Sequence, residues 1–253
     1  MKAVLYICHG SRIKKGCEEA LQFIEQIRPS VNAPIQEACF LELAEPSIEE
    51  GIARCVAKGA TDITVIPFLL LLAGHAKVDI PQELEKAEKQ FPEVQFRYGE
   101  PLGVHDAIID IMLERMMEHQ IEILPDATVL IVGRGSSDPQ TLTDFAKIKA
   151  LFKAKTKLND VNVCFLAAAE PKFKAELHRL AKQNPSQLWV LPYLLFTGIL
   201  MKSMQKEIRS IDNDSPIYLC HYLGYHPYLR DILIERIKEV ERTGGKTFPS
   251  SEE

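Results

Sequence analysis

The stretch Val4–Ser11, Val-Leu-Tyr-Ile-Cys-His-Gly-Ser, recurs 125 residues later at Val129–Ser136 as Val-Leu-Ile-Val-Gly-Arg-Gly-Ser. Both copies are short apolar runs that end in a glycine-containing turn, the pattern of a buried strand followed by a loop. Two further pairs of segments share this offset: Phe40–Pro46 with Phe165–Pro171, and Pro67–Leu70 with Pro192–Leu195. The sequence therefore predicts an internal duplication in which both halves have the same fold.

Each half alternates short β-rich runs with longer helical patterns, which predicts βαβ units and a parallel sheet. The predicted strands are residues 3–8, 36–41, 62–68 and 94–98, and then 127–133, 161–166, 187–193 and 216–220. We expect an α/β fold of two similar domains, each a four-stranded parallel sheet flanked by helices, with an active-site cleft between them. Pro46 is predicted to lie in the first turn of a helix, where proline is tolerated.

The repeat also predicts the domain boundaries. The 253 residues, 46% of them hydrophobic, are enough for two small cores. We predict a domain at 1–121 that carries candidate metal ligands and a domain at 126–242 that carries a candidate anion-binding turn. The polar segment 243–253 is predicted to be a disordered tail.

Composition excludes several classes of function. The net charge of −5 argues against a general nucleic-acid binder. The longest apolar stretch, Val65–Gly74, contains a proline and is about half the length of a membrane span. The chain runs into its first strand without a signal-peptide pattern, and its six cysteines form no C-x-x-C pair, so we predict a cytoplasmic protein with reduced thiols. No complete phosphate-loop or dinucleotide-binding glycine motif is present, which excludes a recognisable ATP site.

Three residues that can bind a metal, His9, Glu42 and His75, occur only in the first copy. Their counterparts in the second copy, after a one-residue gap for the third, are not metal ligands: Arg134, Ala167 and Ile199. Because ligands of parallel α/β sheets gather outside the carboxyl ends of the strands, we expect the three side chains to share one sheet edge. Two imidazoles and a carboxylate suit Fe²⁺, Co²⁺, Ni²⁺ or Zn²⁺, and three protein ligands leave coordination positions open.

Each of these residues also has a simpler interpretation. A strand-end histidine is often a hydrogen-bonded structural group, and a strand-end carboxylate can be merely solvated. Their joint absence from the second copy favours the metal site. His105 in the first copy and His226 in the second occupy equivalent positions at predicted helix starts, and we interpret both as structural. His119 and His178 are predicted to be exposed helix residues.

The second half carries a candidate anion site in the turn Gly133–Asp138. Its backbone donors and hydroxyls suit a carboxylate or phosphate, and Arg134 can bind a carboxylate with two hydrogen bonds. The predicted substrate-binding residues are Ser11, Arg12, Lys77, Arg134, Gly135, Ser136 and Lys202. The alternative is an ordinary βα turn whose polar groups cap the following helix.

Four motifs, in order along the chain, resemble the class II chelatases. They are Cys8-His9-Gly10-Ser11-Arg12, Phe40-Leu41-Glu42-Leu43, Ala73-Gly74-His75-Ala76-Lys77, and Pro192-Tyr193-Leu194-Leu195-Phe196-Thr197-Gly198. The resemblance covers about residues 3–238 and is closest to the long, two-domain sirohydrochlorin ferrochelatases. It implies a lyase that inserts Fe²⁺ into sirohydrochlorin, an anionic tetrapyrrole, without ATP. It also implies that His9 and His75 bind the metal with Glu42 as an acidic helper.

The resemblance implies no cofactor beyond the substrate metal, and no nucleic-acid or membrane partner. Two alternatives remain open: a cobaltochelatase of cobalamin synthesis, and a non-catalytic carrier of metal or tetrapyrrole. The absence of a histidine-rich tract and of a cluster-binding set of cysteines favours iron over cobalt. In the expected mechanism the macrocycle lies in the cleft and contacts the apolar segments Leu69–Leu72 and Leu194–Phe196.

Overall fold

The computed structural model describes residues 1–212 and 215–245. The strands are β1 (Lys2–Cys8), β2 (Ile35–Phe40), β3 (Asp62–Phe68), β4 (Gln95–Tyr98), β5 (Thr128–Gly133), β6 (Val161–Phe165), β7 (Leu188–Tyr193) and β8 (Ile217–Leu219). The helices are α1 (Lys14–Ile27), α2 (Ile48–Ala57), α3 (Ile80–Gln90), α4 (Asp106–Met117), α5 (Gln140–Thr156), α6 (Phe173–Ala181), α7 (Ile199–Arg209) and α8 (Pro227–Thr243). Within the described residues, no helix is both long and apolar enough to cross a bilayer.

The strands form two parallel sheets, with the orders β2-β1-β3-β4 and β6-β5-β7-β8. In the first sheet Cys8 lies opposite Phe40 of β2 and also opposite Phe68 of β3. In the second, Gly133 pairs in the same way with Phe165 and Tyr193. The offset of 125 residues therefore holds for strand register as well as for sequence. The predicted duplication and the two four-stranded parallel sheets are confirmed.

The central strands are apolar because helices cover both of their faces. Every residue of β5, and all of β1 except Lys2, is buried, which explains the continuous hydrophobic runs. On one face of the first sheet, Leu5 and Ile7 share a core with residues of α2 and α3. On the other face, the ring of Phe23 in α1 stacks on Phe68 at 5.0 Å between centroids.

The chain forms two compact units whose boundaries differ from those expected from the repeat. The first unit contains Met1–Gly103 together with the segment that begins at Pro227, and the second unit is Val104–His226. The predicted domains, 1–121 and 126–242, assign α4 to the first half and α8 to the second. In the structure α4 contacts α5 and β7 of the second unit, while α8 contacts α1 and β3 of the first.

Side-chain hydrogen bonds hold α8 in the first unit and α4 in the second. Arg236 of α8 donates to the carbonyl oxygens of Pro101 and Leu102, both at 3.0 Å. In the second unit, Nε2 of His226 lies 2.7 Å from Oε2 of Glu114 in α4. A repeat cannot reveal this exchange, because both sheets present similar apolar faces to a final amphipathic helix.

Two local predictions are corrected. Pro46 precedes α2 instead of lying in its first turn. The helix begins after Ser47, whose hydroxyl accepts from the Glu50 N–H at 3.3 Å while the Glu50 carboxylate accepts from the Ser47 N–H at 3.0 Å. Thr243 belongs to α8, so the tail predicted at 243–253 starts inside a helix; its residues from 246 onward lie outside the described residues.

The turns after β1 and β5 have the same backbone conformation. Gly10 has φ +91° and Gly135 has φ +88°, a region that favours glycine. A Cβ atom on Gly10 would lie 1.8 Å from the carbonyl oxygen of Glu42, and one on Gly135 would lie 2.2 Å from that of Ala167. Glycine at these positions therefore allows the turn after β1 to approach the segment after β2, and the turn after β5 to approach the segment after β6, more closely than any side chain would permit.

We predict that Gly10→Ala and Gly135→Ala each destabilise the protein by about 2 kcal/mol or more. Alanine is strained at the positive φ of these positions, and its Cβ atom would also overlap a backbone carbonyl oxygen. Thermal unfolding followed by circular dichroism measures the loss. Gly74→Ala is the matched control, since a Cβ there meets no atom within 4 Å. A melting temperature of either variant equal to that of the control would contradict the role given to these glycines.

Candidate metal centre

Three neighbouring strands of the first sheet deliver the candidate ligands to one edge. His9 directly follows β1, Glu42 follows β2, and His75 begins a short helical turn after β3. Because β1 lies between β2 and β3, the three chain segments leave the sheet side by side. A hydrogen bond from the Glu42 N–H to the His9 carbonyl oxygen, 3.2 Å, extends the pairing of β1 and β2 to the ligands themselves.

The three side chains converge. One ligand atom from each of His9, Glu42 and His75 lies within 4.8 Å of the others. Nδ1 of His9 is 3.7 Å from Oε1 of Glu42, and the two imidazole rings are perpendicular with centroids 5.0 Å apart. A metal held at about 2.1 Å from each donor needs donors about 3–4 Å apart, so small side-chain rotations suffice. Among residues 1–212 and 215–245 no other group of three such side chains has this spacing.

The site is open to solvent. The side chains of His9, Glu42 and His75 are 29%, 39% and 31% exposed. Three protein donors at an accessible surface leave room in the coordination sphere for a second molecule. The arrangement can therefore capture a divalent ion and also release it to another ligand.

Sequence reasoning did not identify a fourth polar residue of this site. Asp79 places its Oδ2 atom 2.6 Å from Nδ1 of His75. His75 and Asp79 are the first and last residues of a π-helical turn that runs directly into α3. The four-residue spacing of a histidine and an acid in a helical pattern is the signal that could have found this pair.

Two exposed apolar residues adjoin the ligands and were also missed. Leu43, next to Glu42, is 49% exposed and has φ +64°. Val78, in the same turn as His75, is 49% exposed as well. Leu43 closes the segment Phe40-Leu41-Glu42-Leu43, whose three apolar residues give no sign that the last of them turns out of the core.

Cys8 adjoins His9 but is not suited to bind a metal. It is buried in β1, and burial raises the pKa of its thiol to about 12. Metals bind the thiolate, whereas this thiol remains protonated near neutral pH. Cys8 is instead a small packing residue of the buried strand β1.

In the second unit the corresponding turn is capped by its own side chains. The Ser136 hydroxyl accepts from the Asp138 N–H at 3.1 Å, and the Asp138 carboxylate accepts from the Gln140 N–H at 2.9 Å. Ser11 accepts from the Ile13 N–H in the same way at 3.0 Å. These contacts agree with the alternative interpretation as a helix-capping turn. The serine hydroxyls retain their own protons for a ligand, so anion binding at this turn stays a prediction.

The predicted cationic residues are distributed over both units. Arg12 and Lys77 belong to the first unit, where Arg12 is exposed and Lys77 is half-buried. Arg134 and Lys202 belong to the second unit and are both exposed. Their contact with a substrate stays a prediction.

The remaining histidines have structural surroundings. His105 caps α4 by accepting from the Ala107 N–H at 3.1 Å, which together with the contact of His226 to α4 supports a structural role for this repeated pair. His119 is not the exposed helix residue that we expected. It follows the end of α4 and packs its ring edge-on against Trp189, 5.3 Å between centroids. His178 is 40% exposed on α6 and lies 2.8 Å from Glu207.

Comparison with known proteins supports one family. The CbiX family profile matches residues 3–119 and 128–240, nearly all of both halves. The chain is 46% identical over 249 residues to the sirohydrochlorin ferrochelatase of Priestia megaterium, covering 98% of this chain and 94% of the relative. It is 37% identical over 246 residues to a sirohydrochlorin cobaltochelatase of the same organism, covering 94% and 80%.

A solved structure agrees over the whole length. SirB from Bacillus subtilis with Fe³⁺ superposes with a TM-score of 0.88 at 37% sequence identity, covering 98% of this chain and 99% of that protein. The matches extend over both units, over all four quoted motifs and over the strand ends that carry the candidate ligands. By sequence and by fold, the chain is a member of the CbiX family of chelatases.

Proposed function

We propose that this protein is a sirohydrochlorin ferrochelatase, which inserts Fe²⁺ into sirohydrochlorin without ATP to give siroheme. The observation that carries the proposal is the open cluster of His9, Glu42 and His75, present in only one of two otherwise matching units. Support also comes from the ferrochelatase relative that aligns over nearly the full length of the chain. A cytoplasmic location fits the six cysteines, which are all free thiols.

The two histidines and the carboxylate would take up Fe²⁺ first. Neutral imidazoles and an ionised carboxylate are the forms that bind the ion. Since three donors do not complete a six-coordinate shell, the pyrrole nitrogens can enter the open positions before the protein ligands leave. Partial exposure of all three side chains is consistent with this transfer.

Insertion also releases protons. Two pyrrole N–H groups lose their protons as the ion forms four bonds to the ring nitrogens, so the balanced products are siroheme and two protons. A base beside the metal must accept each proton and pass it to water. Glu42 suits this step because its carboxylate is 39% exposed and lies 3.7 Å from His9, which allows it to reach solvent as well as the site.

Apolar side chains beside the ligands would contact the tetrapyrrole ring. Leu43 and Val78 are exposed and immediately adjacent to ligand residues. Of the apolar segments expected to serve this purpose, Leu69 and Leu194 are buried, with exposures of 7% and 9%, and are unavailable to a ligand. The other residues of the two segments, Leu70–Leu72 and Leu195–Phe196, are half-buried and stay predicted ring contacts. We add Leu43 and Val78 to the ring contact of the first unit.

The carboxylates of sirohydrochlorin need cationic partners in a protein whose net charge is −5. We assign this role to Arg134 and Lys202 with the hydroxyl of Ser136, and to Arg12, Lys77 and Ser11 of the first unit. Arg134 stands where the metal-bearing copy has His9. A guanidinium at that position would offer a fixed positive charge to the substrate in place of a metal ion.

A cobaltochelatase is the second candidate, favoured by the 37% identical relative of that name. Donors of this type bind Fe²⁺ and Co²⁺ alike, and selection between the two depends on geometry and metal supply. A non-catalytic carrier is the candidate from a different class, and it would bind sirohydrochlorin without increasing the rate of metal insertion.

We predict that the purified protein accelerates insertion of Fe²⁺ into sirohydrochlorin, followed by the change in the tetrapyrrole absorption spectrum under anaerobic conditions. His9→Ala and His75→Ala should each lower the initial rate at limiting Fe²⁺ by about 10-fold or more, because each removes a metal ligand. A parallel series with Co²⁺ compares the two metals. His178→Ala, a half-exposed histidine on α6, is the matched control.

The outcomes separate the candidates. A rate equal to that without protein would favour the carrier, and faster insertion of Co²⁺ than of Fe²⁺ would favour the cobaltochelatase. If His9→Ala or His75→Ala kept the full rate at limiting metal, the ligand role of that residue would be wrong.

Arg134→Ala should raise the KM for sirohydrochlorin by about 10-fold or more, since a charge-assisted hydrogen bond contributes about 1.5–3 kcal/mol. The kcat should change little, because the residue is assigned no part in metal transfer. Steady-state kinetics at saturating Fe²⁺ measures both constants. Arg209→Ala removes another exposed arginine of the second unit and should leave the KM unchanged. An unchanged KM in Arg134→Ala would remove that residue from the substrate site.

Leu43→Ala should raise the KM for sirohydrochlorin about 5-fold, because roughly 1 kcal/mol of apolar contact is lost. Its affinity for metal alone should stay unchanged. The backbone tolerates alanine here, since the counterpart Ala168 also has positive φ, +40°. Leu142→Ala provides a control on the second unit with a similar exposure of 52%. Equal KM values for the two variants would refute the ring contact.

A further inference from the structure

We propose that Asp79 is a positioning residue that holds the His75 ring with its Nε2 atom as the metal ligand. The inference rests on the proposed function, since it requires His75 to bind the metal. It adds a fourth residue to the site, one that acts on the ion through the imidazole rather than by direct coordination.

The contact between the two side chains carries the inference. The Asp79 Oδ2 atom lies 2.6 Å from Nδ1 of His75, a short distance for a hydrogen bond between these groups. A carboxylate at Nδ1 favours the tautomer with the proton on that nitrogen, so the lone pair of the neutral ring is on Nε2. It also fixes the orientation of the ring plane. The hydrogen bond therefore selects which nitrogen faces the metal.

The backbone around the pair has an uncommon conformation. Residues His75–Asp79 form a π-helical turn, closed by a hydrogen bond from the Ile80 N–H to the His75 carbonyl oxygen. Pro81, in the first turn of α3, has no N–H and cannot continue an α-helical ladder back to Lys77. Single π turns of this kind are frequent at functional sites. Here the turn brings the carboxylate and the imidazole together at the start of α3.

The second unit provides an internal comparison. With the one-residue gap that aligns Ile199 with His75, Ser203 stands opposite Asp79. The corresponding residues open α7, which is α-helical from Ile199 onward. The copy without the histidine therefore lacks both the acid and the π turn. Loss of all three features together is expected if Asp79 serves His75, and is not required if it serves the fold.

Two other roles for Asp79 fit the structure less well. It occupies the residue before α3, but its side chain makes no capping hydrogen bond to that helix. It is also absent from the group of converging donors formed by His9, Glu42 and His75. With 51% of its side chain exposed, it makes no large contribution to packing.

Titration of the protein with Co²⁺ in the absence of tetrapyrrole tests the inference, because the visible absorption of the bound ion reports its ligands. Asp79→Ala should weaken Co²⁺ binding by about 10- to 100-fold, the usual effect of removing an acid behind a metal-bound histidine. Asp79→Asn should recover part of the loss, since an amide oxygen can still accept the Nδ1–H bond. Glu83→Ala is the matched control, as it removes another acid from the start of α3.

A double-mutant cycle separates positioning from other effects. In a His75→Ala background, Asp79→Ala should cause no further loss of affinity, because the residue that it orients is gone. An equal loss in both backgrounds would overturn the inference and indicate that Asp79 acts on the ion or on the fold directly. A full Co²⁺ affinity of Asp79→Ala, in a protein where His75→Ala binds weakly, would overturn it as well.

The same series distinguishes failure of the inference from failure of the proposed function. If His75→Ala binds Co²⁺ as tightly as the natural protein, the ligand assignment itself is wrong. Melting temperatures of Asp79→Ala and Glu83→Ala should agree within a few degrees. A much lower value for Asp79→Ala, not restored in Asp79→Asn, would assign the residue to stability and overturn the positioning role.

Discussion

The candidate metal centre depends on a close approach between two backbone segments at the ends of β1 and β2. Gly10 lies so near the carbonyl oxygen of Glu42 that a Cβ atom would overlap it. The adjoining hydrogen bond joins Glu42 to His9. Without that approach the two side chains would leave the sheet at a greater separation. A steric condition on one glycine therefore sets the distance between an imidazole and a carboxylate.

The second unit shows that this backbone does not by itself create a metal site. Gly135 and Ala167 reproduce the approach, and the Ala167 N–H donates to the Arg134 carbonyl oxygen at 2.8 Å. The two units therefore share a framework and differ in the side chains placed on it. One framework gathers three candidate metal donors, whereas the other presents the exposed Arg134. Since the strand registers also agree, the difference in chemistry between the units comes from substitutions at a few positions.

Duplication made much of the fold predictable from a single sequence. Matching segments such as Val4–Ser11 and Val129–Ser136 identified the strands, and the unequal residues between them identified His9, Glu42 and His75. Features that depend on packing were not predictable in this way. The packing of the half-buried His119 ring against Trp189 and the outward turn of Leu43 are set by contacts between distant segments. Asp79 was missed for a related reason: its importance lies in a π turn that periodicity alone does not distinguish from an α-helix.

The exchange of α4 and α8 has a consequence for how the chain can be divided. The first unit is assembled from both ends of the sequence, whereas the second unit is a continuous internal segment. A single cut at the midpoint of the repeat would strip each sheet of one covering helix and expose apolar strand residues to water. The sequence divides into two matching halves, yet neither half encodes a complete hydrophobic core. Expression of separate fragments would therefore require boundaries near Gly103 and Pro227 and the rejoining of two non-adjacent pieces.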